Sequence, residues 1–275
     1  MSGVKLYFKY FSIHLRSVMQ YKTSFLMTVF GQFLTSFASF LSVFILMNRF
    51  SSVYEFTIYE VLLCYSAVLM SFSLAECFFR GFDSFASIIG NGEFERMLTR
   101  PRSLVLQVVG SKIEFSRIGR LIQAAVILCF VIPMSGIDWN FIKALTLVLM
   151  IAGGTLVFAG LFVIYASLCF FSTDGLEFMN IFTDGGKEFG AYPLSIYGKS
   201  VLRFCTFVIP LALVQYYPLM FILGHEKSIL YAVSAVLRSV FDSVRSALEN
   251  RSKIFPRNRF IRRENAGIQS YRGFQ

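Results

Sequence analysis

Two carboxylates, Glu60 and Glu76, stand inside otherwise apolar runs and are the first residues that invite a chemical reading. An ionisable group at membrane depth is expensive, so it marks either a proton or ion pathway or an internal charge pair. Glu60 opens its run within reach of the headgroup region. Glu76 precedes Arg80 by four residues, the spacing of an ion pair on one helix face. Both therefore read as structural. The glycine-lysine string GGKEFG at 185–190 lacks the spacing and the following Ser or Thr of a phosphate-cradling loop. The five cysteines, Cys64, Cys77, Cys129, Cys169 and Cys205, are scattered in or near apolar segments, and neither they nor His14 and His225 show metal-ligand spacing. No nucleophile elbow, zinc-protease motif, voltage-sensor ladder or potassium-filter motif occurs. The sequence assigns no catalytic residue, no metal site and no nucleotide site to this chain.

Composition points to the bilayer. Of 275 residues 56% are hydrophobic and 15% charged, 33 are phenylalanine, and mean hydropathy is +0.63. A soluble domain is nearer one quarter charged. The apolar residues gather in runs of about twenty, enough to cross roughly 30 Å of hydrocarbon. The net charge of +10 fits basic cytoplasmic loops better than a nucleic-acid partner.

The expected fold is all-α, a polytopic transmembrane bundle with five spans and a short sixth. The spans are read at about 25–47, 58–79, 118–137, 141–171 and 201–223. Residues 229–240 give only twelve mostly apolar positions, about 18 Å of helix, interrupted by Arg238. A shortened crossing near 224–245 is nevertheless favoured, because it returns the basic 242–275 tail to the cytoplasmic side. Residues 1–24 interleave Leu6, Phe8, Ile13 and Leu15 with Lys5, Lys9, Arg16 and Lys22, the pattern of an amphipathic helix lying at the membrane surface. The organisation is thus an interfacial helix at 1–24, a transmembrane domain at 25–241 and a basic polar tail at 242–275.

Charge sets the orientation. The 80–120 stretch holds Arg80, Arg96, Arg100, Arg102, Lys112, Arg117 and Arg120, whereas the loops at 48–57 and 134–140 hold only Arg49. The N-terminus and the 80–117 loop are therefore expected inside. Within that loop Gly90–Gly92 and Pro101 mark turns, with FERML and SLVLQVV as short amphipathic helices between and after them. Gly153, Gly154 and Gly160 permit close helix approach in the fourth span.

The run from Gly92 through ERMLTRPRSLVLQVV, and the block FGAYPLSIYGKSVLRFCTFVIPLALVQYYPLMFILG at 189–224, resemble the type 2 exporter (ABC-2) permeases of ATP-binding-cassette transporters, in their small six-span subgroup. The resemblance covers about residues 1–225. Past residue 228 the chain departs from it, with charge where that subgroup has an apolar sixth span, although Gly267–Tyr271 is similar to its tail.

The resemblance implies a permease subunit in a bacterial plasma (inner) membrane, N-terminus cytoplasmic, forming half of a translocation path with a second, identical or different permease chain. It implies a separate ATPase subunit that holds the ATP and Mg, so that this chain binds no cofactor. On that reading Glu93, Phe94, Glu95, Arg96, Arg100, Pro101 and Arg102 couple to the ATPase. Tyr192, Pro193, Pro210, Tyr216, Tyr217 and Pro218 become the candidate gate or kink. The alternatives are a non-transporting scaffold subunit or an ion-coupled secondary transporter.

Overall fold

The computed structural model of the chain describes residues 3–49, 56–100, 103–170, 176–207 and 209–224. Pro101, Arg102, the short sixth segment and the basic tail lie outside the described residues. Among these residues the fold is helical, and four helices are long and apolar enough to cross a membrane.

The first helix, α1 (Gly3–Gln20), ends at Tyr21, where α2 (Lys22–Arg49) begins. The second long crossing is α3 (Ile58–Asp83), whose start is fixed by the Glu60 carboxylate accepting from the Thr57 backbone N–H at 2.7 Å. Glu60 thus satisfies an otherwise orphan donor at the helix N-terminus. After α3 come three short helices, α4 (Phe85–Gly90), α5 (Glu93–Leu98) and α6 (Leu104–Ser111). A 3-10 turn at Phe115–Arg117 feeds α7 (Ile118–Met134), and α8 (Phe141–Leu168) is the fourth long crossing. Between them Trp139 donates its indole N–H to the Ile132 carbonyl at 3.0 Å and closes the turn.

Helix α3 is the axis of the bundle. In its apolar stretch 83% of residues are buried, against 11% in α2. It packs against α7 and α8 along most of its length, and small residues let the backbones meet. At Gly154 of α8 an added Cβ would stand 2.7 Å from the Ser71 hydroxyl. Ser71 in turn donates to the Ile151 carbonyl at 3.0 Å, and Thr155 donates to the Ser71 carbonyl at 3.2 Å. Interhelical hydroxyl-to-carbonyl bonds of this kind are favoured where water cannot compete. Helix α2 packs along α7, and at Gly119 the Val29 carbonyl comes within 2.4 Å of the missing Cβ.

The fifth expected span differs from expectation. Residues 201–223 do not form one kinked helix. They belong to α10 (Lys199–Phe207), α11 (Leu211–Val214) and α12 (Tyr216–Leu223), and the path turns by 90° between α10 and the rest. Ahead of them lie α9 (Asn180–Gly190) and a 3-10 turn at Leu194–Tyr197. Pro210 has no N–H to continue a helix from α10 and stands at the N-terminus of α11. The apolar content of the segment survives the break, and α10 with α11 and α12 is together long and apolar enough for a fifth, broken crossing.

Candidate functional site

Three places gather the chain's unusual side chains. The first is a ledge at the end of the bundle, built from α4, α5 and α6. Gly92 adopts φ +68 and turns the chain into α5, a left-handed conformation that glycine enters without steric cost. Phe94, only 4% exposed, points inward and packs edge-on against Phe85 and Phe170 at 5.5 and 5.2 Å. The opposite face of α5 is open: Glu95, Arg96, Leu98 and Arg100 are exposed. Glu93 is partly exposed, with its carboxylate 3.9 Å from the Arg96 guanidinium. The seven coupling candidates therefore divide. Phe94 anchors the segment, Glu93, Glu95, Arg96 and Arg100 share its outer surface, and Pro101 and Arg102 are not described.

The ledge is bolted down at two points. The Gln107 amide of α6 donates to the Met97 carbonyl at 3.2 Å. At Gly81 of α3 an added Cβ would fall 1.9 Å from the Val108 carbonyl oxygen of α6, so the two backbones are in direct contact. Helix α1 joins the same assembly. His14 Nε2 lies 3.0 Å from the Gly110 carbonyl, the Tyr10 ring covers Gly110, and Phe11 packs edge-on to Phe115. Helix α1 thus packs against α6, with Phe8 and Ile13 left exposed.

The second place is a buried charge cluster beneath the ledge. Glu76, 2% exposed, meets three guanidiniums. Arg80 and Arg117 approach Oε1 at 3.3 and 3.2 Å, and Arg120 approaches Oε2 at 2.8 Å. Arg80 also meets Asp83 at 2.5 Å and Glu114 at 3.4 Å. Arg117 reaches across and donates to the side-chain Oε1 of Gln32 in α2 at 2.7 Å. Three carboxylates thus face three guanidiniums, and the cluster pins α2, α3, the ledge and the start of α7 together. The helix pair of Glu76 and Arg80 follows from sequence spacing. Arg117 and Arg120, counted at first only as orienting charges, turn out to be its buried partners. The signal was present: two arginines three apart at the start of a span place their heads on one face.

The third place is the broken segment. Gln215, 2% exposed, sits between α11 and α12 and donates its side-chain amide to the Gly190 carbonyl at the end of α9. The same amide group reaches the Tyr192 carbonyl at 3.2 Å and the Cys64 sulfur of α3 at 3.0 Å. The junction is tight at Gly190, where a Cβ would meet Val68 at 3.0 Å and Gln215 at 3.1 Å. Gln215 therefore links the Tyr192–Pro193 turn to the start of the Tyr216–Tyr217–Pro218 helix, whereas Pro210 lies apart at the α10–α11 break. Tyr216 and Tyr217 pack with each other at 5.5 Å and cover Leu194, Cys205 and Ala212. No motif flagged Gln215; a lone amide in an apolar block was the available clue.

Beside this segment a polar cleft opens between α2 and α9. It is lined by Thr35, Ser36 and Ser39 of α2, Tyr65 of α3, Arg120 of α7, and Lys187 and Glu188 of α9. Lys187 pairs with Glu188 at 2.9 Å and lies 5.3 Å above the Phe72 ring. Among the described residues no group of three or more His, Cys, Asp or Glu side chains is placed to hold a metal ion.

The family model described as ABC-2 family transporter protein matches residues 33–248, more than half of the chain. No curated protein and no solved structure matches.

Proposed function

Because this chain belongs to the ABC-2 family of transporter proteins, we propose that it is the permease subunit of an ATP-driven exporter. It works with a separate ATPase subunit, which carries the ATP and Mg, and with a second permease chain, identical or different. The observation that carries this reading is the ledge. Its outer face, with Glu95, Arg96 and Arg100, is charged and open, while its root is locked to α3 by the Gly81–Val108 contact and, just beyond α6, by the Arg80–Glu114 pair. A mobile loop would absorb an applied displacement. A rigid one transmits it to the bundle.

The driven end is the broken segment. A push on the ledge reaches α3, and Cys64 and Val68 of α3 touch the Gln215–Gly190 junction. Tyr192, Pro193, Pro210, Tyr216, Tyr217 and Pro218 are then the parts that change path as the transporter turns over. The polar cleft between α2 and α9 forms one wall of the translocation path, and a second permease chain supplies the other. The basic ledge and N-terminus face the cytoplasm, and the membrane is the bacterial plasma membrane. Glu76 has no coupling role on this account, because both of its oxygens are occupied by guanidiniums.

The expected result is that the chain co-purifies with an ATPase bearing a phosphate-binding loop. The triple charge reversal Glu95→Arg, Arg96→Glu, Arg100→Glu should reduce the recovered ATPase roughly tenfold or more, the equivalent of about 1.4 kcal/mol in binding, while leaving the chain folded. Undiminished association in that variant rejects the ledge as the docking element. Ion flux by the reconstituted chain alone, without nucleotide or partner, rejects the export-permease reading.

A further inference from the structure

The polar cleft between α2 and α9 lies at membrane depth. Helix α2 has 28 residues, and a crossing takes about twenty. Thr35, Ser36 and Ser39 stand near its middle, so they fall inside the hydrocarbon wherever along the helix the crossing starts. Tyr65 of α3 stands at the same level, because its hydroxyl donates to the Ser36 carbonyl at 3.1 Å. Helix α9 is too short and polar to be read as a crossing. Packing nevertheless holds it there: Lys187 lies over the Phe72 ring, Gly190 abuts Val68, and Lys187 and Glu188 line the cleft with Ser36 and Tyr65. The Lys187–Glu188 pair is therefore a pair of charges inside the membrane, and such groups mark pathways and binding sites.

What the cleft accepts follows from its hydrogen-bonding groups. The Thr35 hydroxyl donates to the Gly31 carbonyl at 2.9 Å and Tyr65 to Ser36, so both oxygens can meet a guest only as acceptors. Neither cation is unpaired: Glu76 holds Arg120 at 2.8 Å, and Glu188 holds Lys187 at 2.9 Å through Oε1. Glu188 has capacity left. Its side chain is 55% exposed, and its Oε2 has no partner among the described residues. Asp184, one turn earlier on α9, is exposed and stands outside the lining. The enclosed part of the cleft measures about 20 Å³, room for one water-sized group. An ammonium head has that size, carries donors only and brings the charge that a carboxylate attracts. An anion would meet Glu188 with no unpaired cation to receive it.

We propose that this cleft binds a primary ammonium group of the transported molecule, with Glu188 as the residue that selects it. Glu188 Oε2 accepts from the ammonium, and the Thr35 and Tyr65 oxygens are further acceptors along the cleft. The rest of the molecule stays at the mouth, where Thr35 and Glu188 are exposed. Lys187 stays on Oε1, and its like charge weakens the hold, so that the guest is released as well as captured. That the guest is cargo rests on the permease reading. The preference for an ammonium group does not, and it is measured on the chain alone, so either can fail while the other stands.

The test uses the full chain in lipid nanodiscs, with Cys129→Ser to remove the exposed thiol and Ser39→Cys as a reporter in the cleft. Two thiol reagents of similar length and opposite charge are compared, 2-aminoethyl and 2-sulfonatoethyl methanethiosulfonate. Their rate ratio at position 39, divided by their ratio on free cysteine, should favour the ammonium reagent roughly tenfold, as a charged cleft concentrates its counter-ion. Glu188→Gln should return the ratio to that of free cysteine. Lys187→Gln, which frees the carboxylate, should raise it, and a purely structural role for the pair would not move the two variants in opposite directions. A ratio equal to that of free cysteine with Glu188 in place overturns the proposal. So does a preference that survives Glu188→Gln, and so does a reporter that reacts with neither reagent.

Discussion

Glu76→Gln should be the most damaging single substitution in the membrane domain, lowering stability by about 3–5 kcal/mol, the usual cost of removing one partner of a buried ion pair. The glutamine is nearly isosteric, so packing is preserved and the loss is electrostatic. Three guanidiniums would then face two remaining carboxylates, Asp83 and Glu114, neither of which touches Arg117 or Arg120. Arg117, with a side chain 10% exposed, and Arg120, with a side chain 12% exposed, meet too little water to solvate the charge left uncompensated. The measurement is thermal unfolding of the purified chain in detergent, followed by size-exclusion profile and loss of helical signal. A double variant, Glu76→Gln with Arg120→Gln, removes the extra charge and should recover a substantial part of the loss. Equal stabilities of the single variant and the unaltered chain would show that the cluster contributes nothing, and a double variant whose loss equals the sum of the two single losses would show that the pair is not coupled.

Gly81→Ala should have the second largest effect, and a different character. The new methyl would sit 1.9 Å from the Val108 oxygen and 2.9 Å from its carbonyl carbon. Both are backbone atoms with no rotamer to yield, so α6 must move away from α3. Overpacking of this kind costs about 1–3 kcal/mol, but here the strain is local to the root of the ledge. The four long helices should therefore persist while α5 and α6 loosen. Trypsin cleavage at the exposed Arg96 should accelerate, with little change in the overall unfolding temperature. Gly90→Ala, at a position with open space around its missing Cβ, is the matched control and should leave cleavage unchanged. Identical cleavage rates in the two variants would contradict the tight α3–α6 contact.

The long helices were legible because hydrocarbon imposes one rule on every residue that crosses it. A run of about twenty apolar residues is both necessary and visible, and α2, α3, α7 and α8 fall within a few residues of their expected bounds. The ledge was legible for a related reason. Gly92 and Pro101 punctuate the chain, and the short helices between them have clear amphipathic patterns. What remained hidden depends on pairing across the fold. Arg117 and Arg120 look like orienting charges until α3 places Glu76 beside them. Gly81 and Gly119 are unremarkable glycines until Val108 and Val29 approach them. Phe94 sits in a charged, exposed run, and only the partners Phe85 and Phe170 reveal that it faces inward. The break between α10 and α11 is hidden in another way. Pro210 announces a kink, but a 90° turn and a kinked crossing contain the same apolar residues. The six gate candidates separated similarly: an unflagged amide, Gln215, connects the Tyr192 turn to the Tyr216 helix, and Pro210 stands outside that junction.

The central claim is that the outer face of α5 is gripped by a separate ATPase. A photo-cross-linking amino acid placed at Arg96, which is 73% exposed at its side chain, tests it in intact cells, with the same probe at Phe8 of α1 as a reference. The account predicts a protein adduct from position 96, containing an ATPase with a phosphate-binding loop, that vanishes when Glu95 and Arg100 are charge-reversed. From position 8 it predicts adducts with lipid. A position-96 probe that captures only lipid, or only other copies of this chain, would contradict the account.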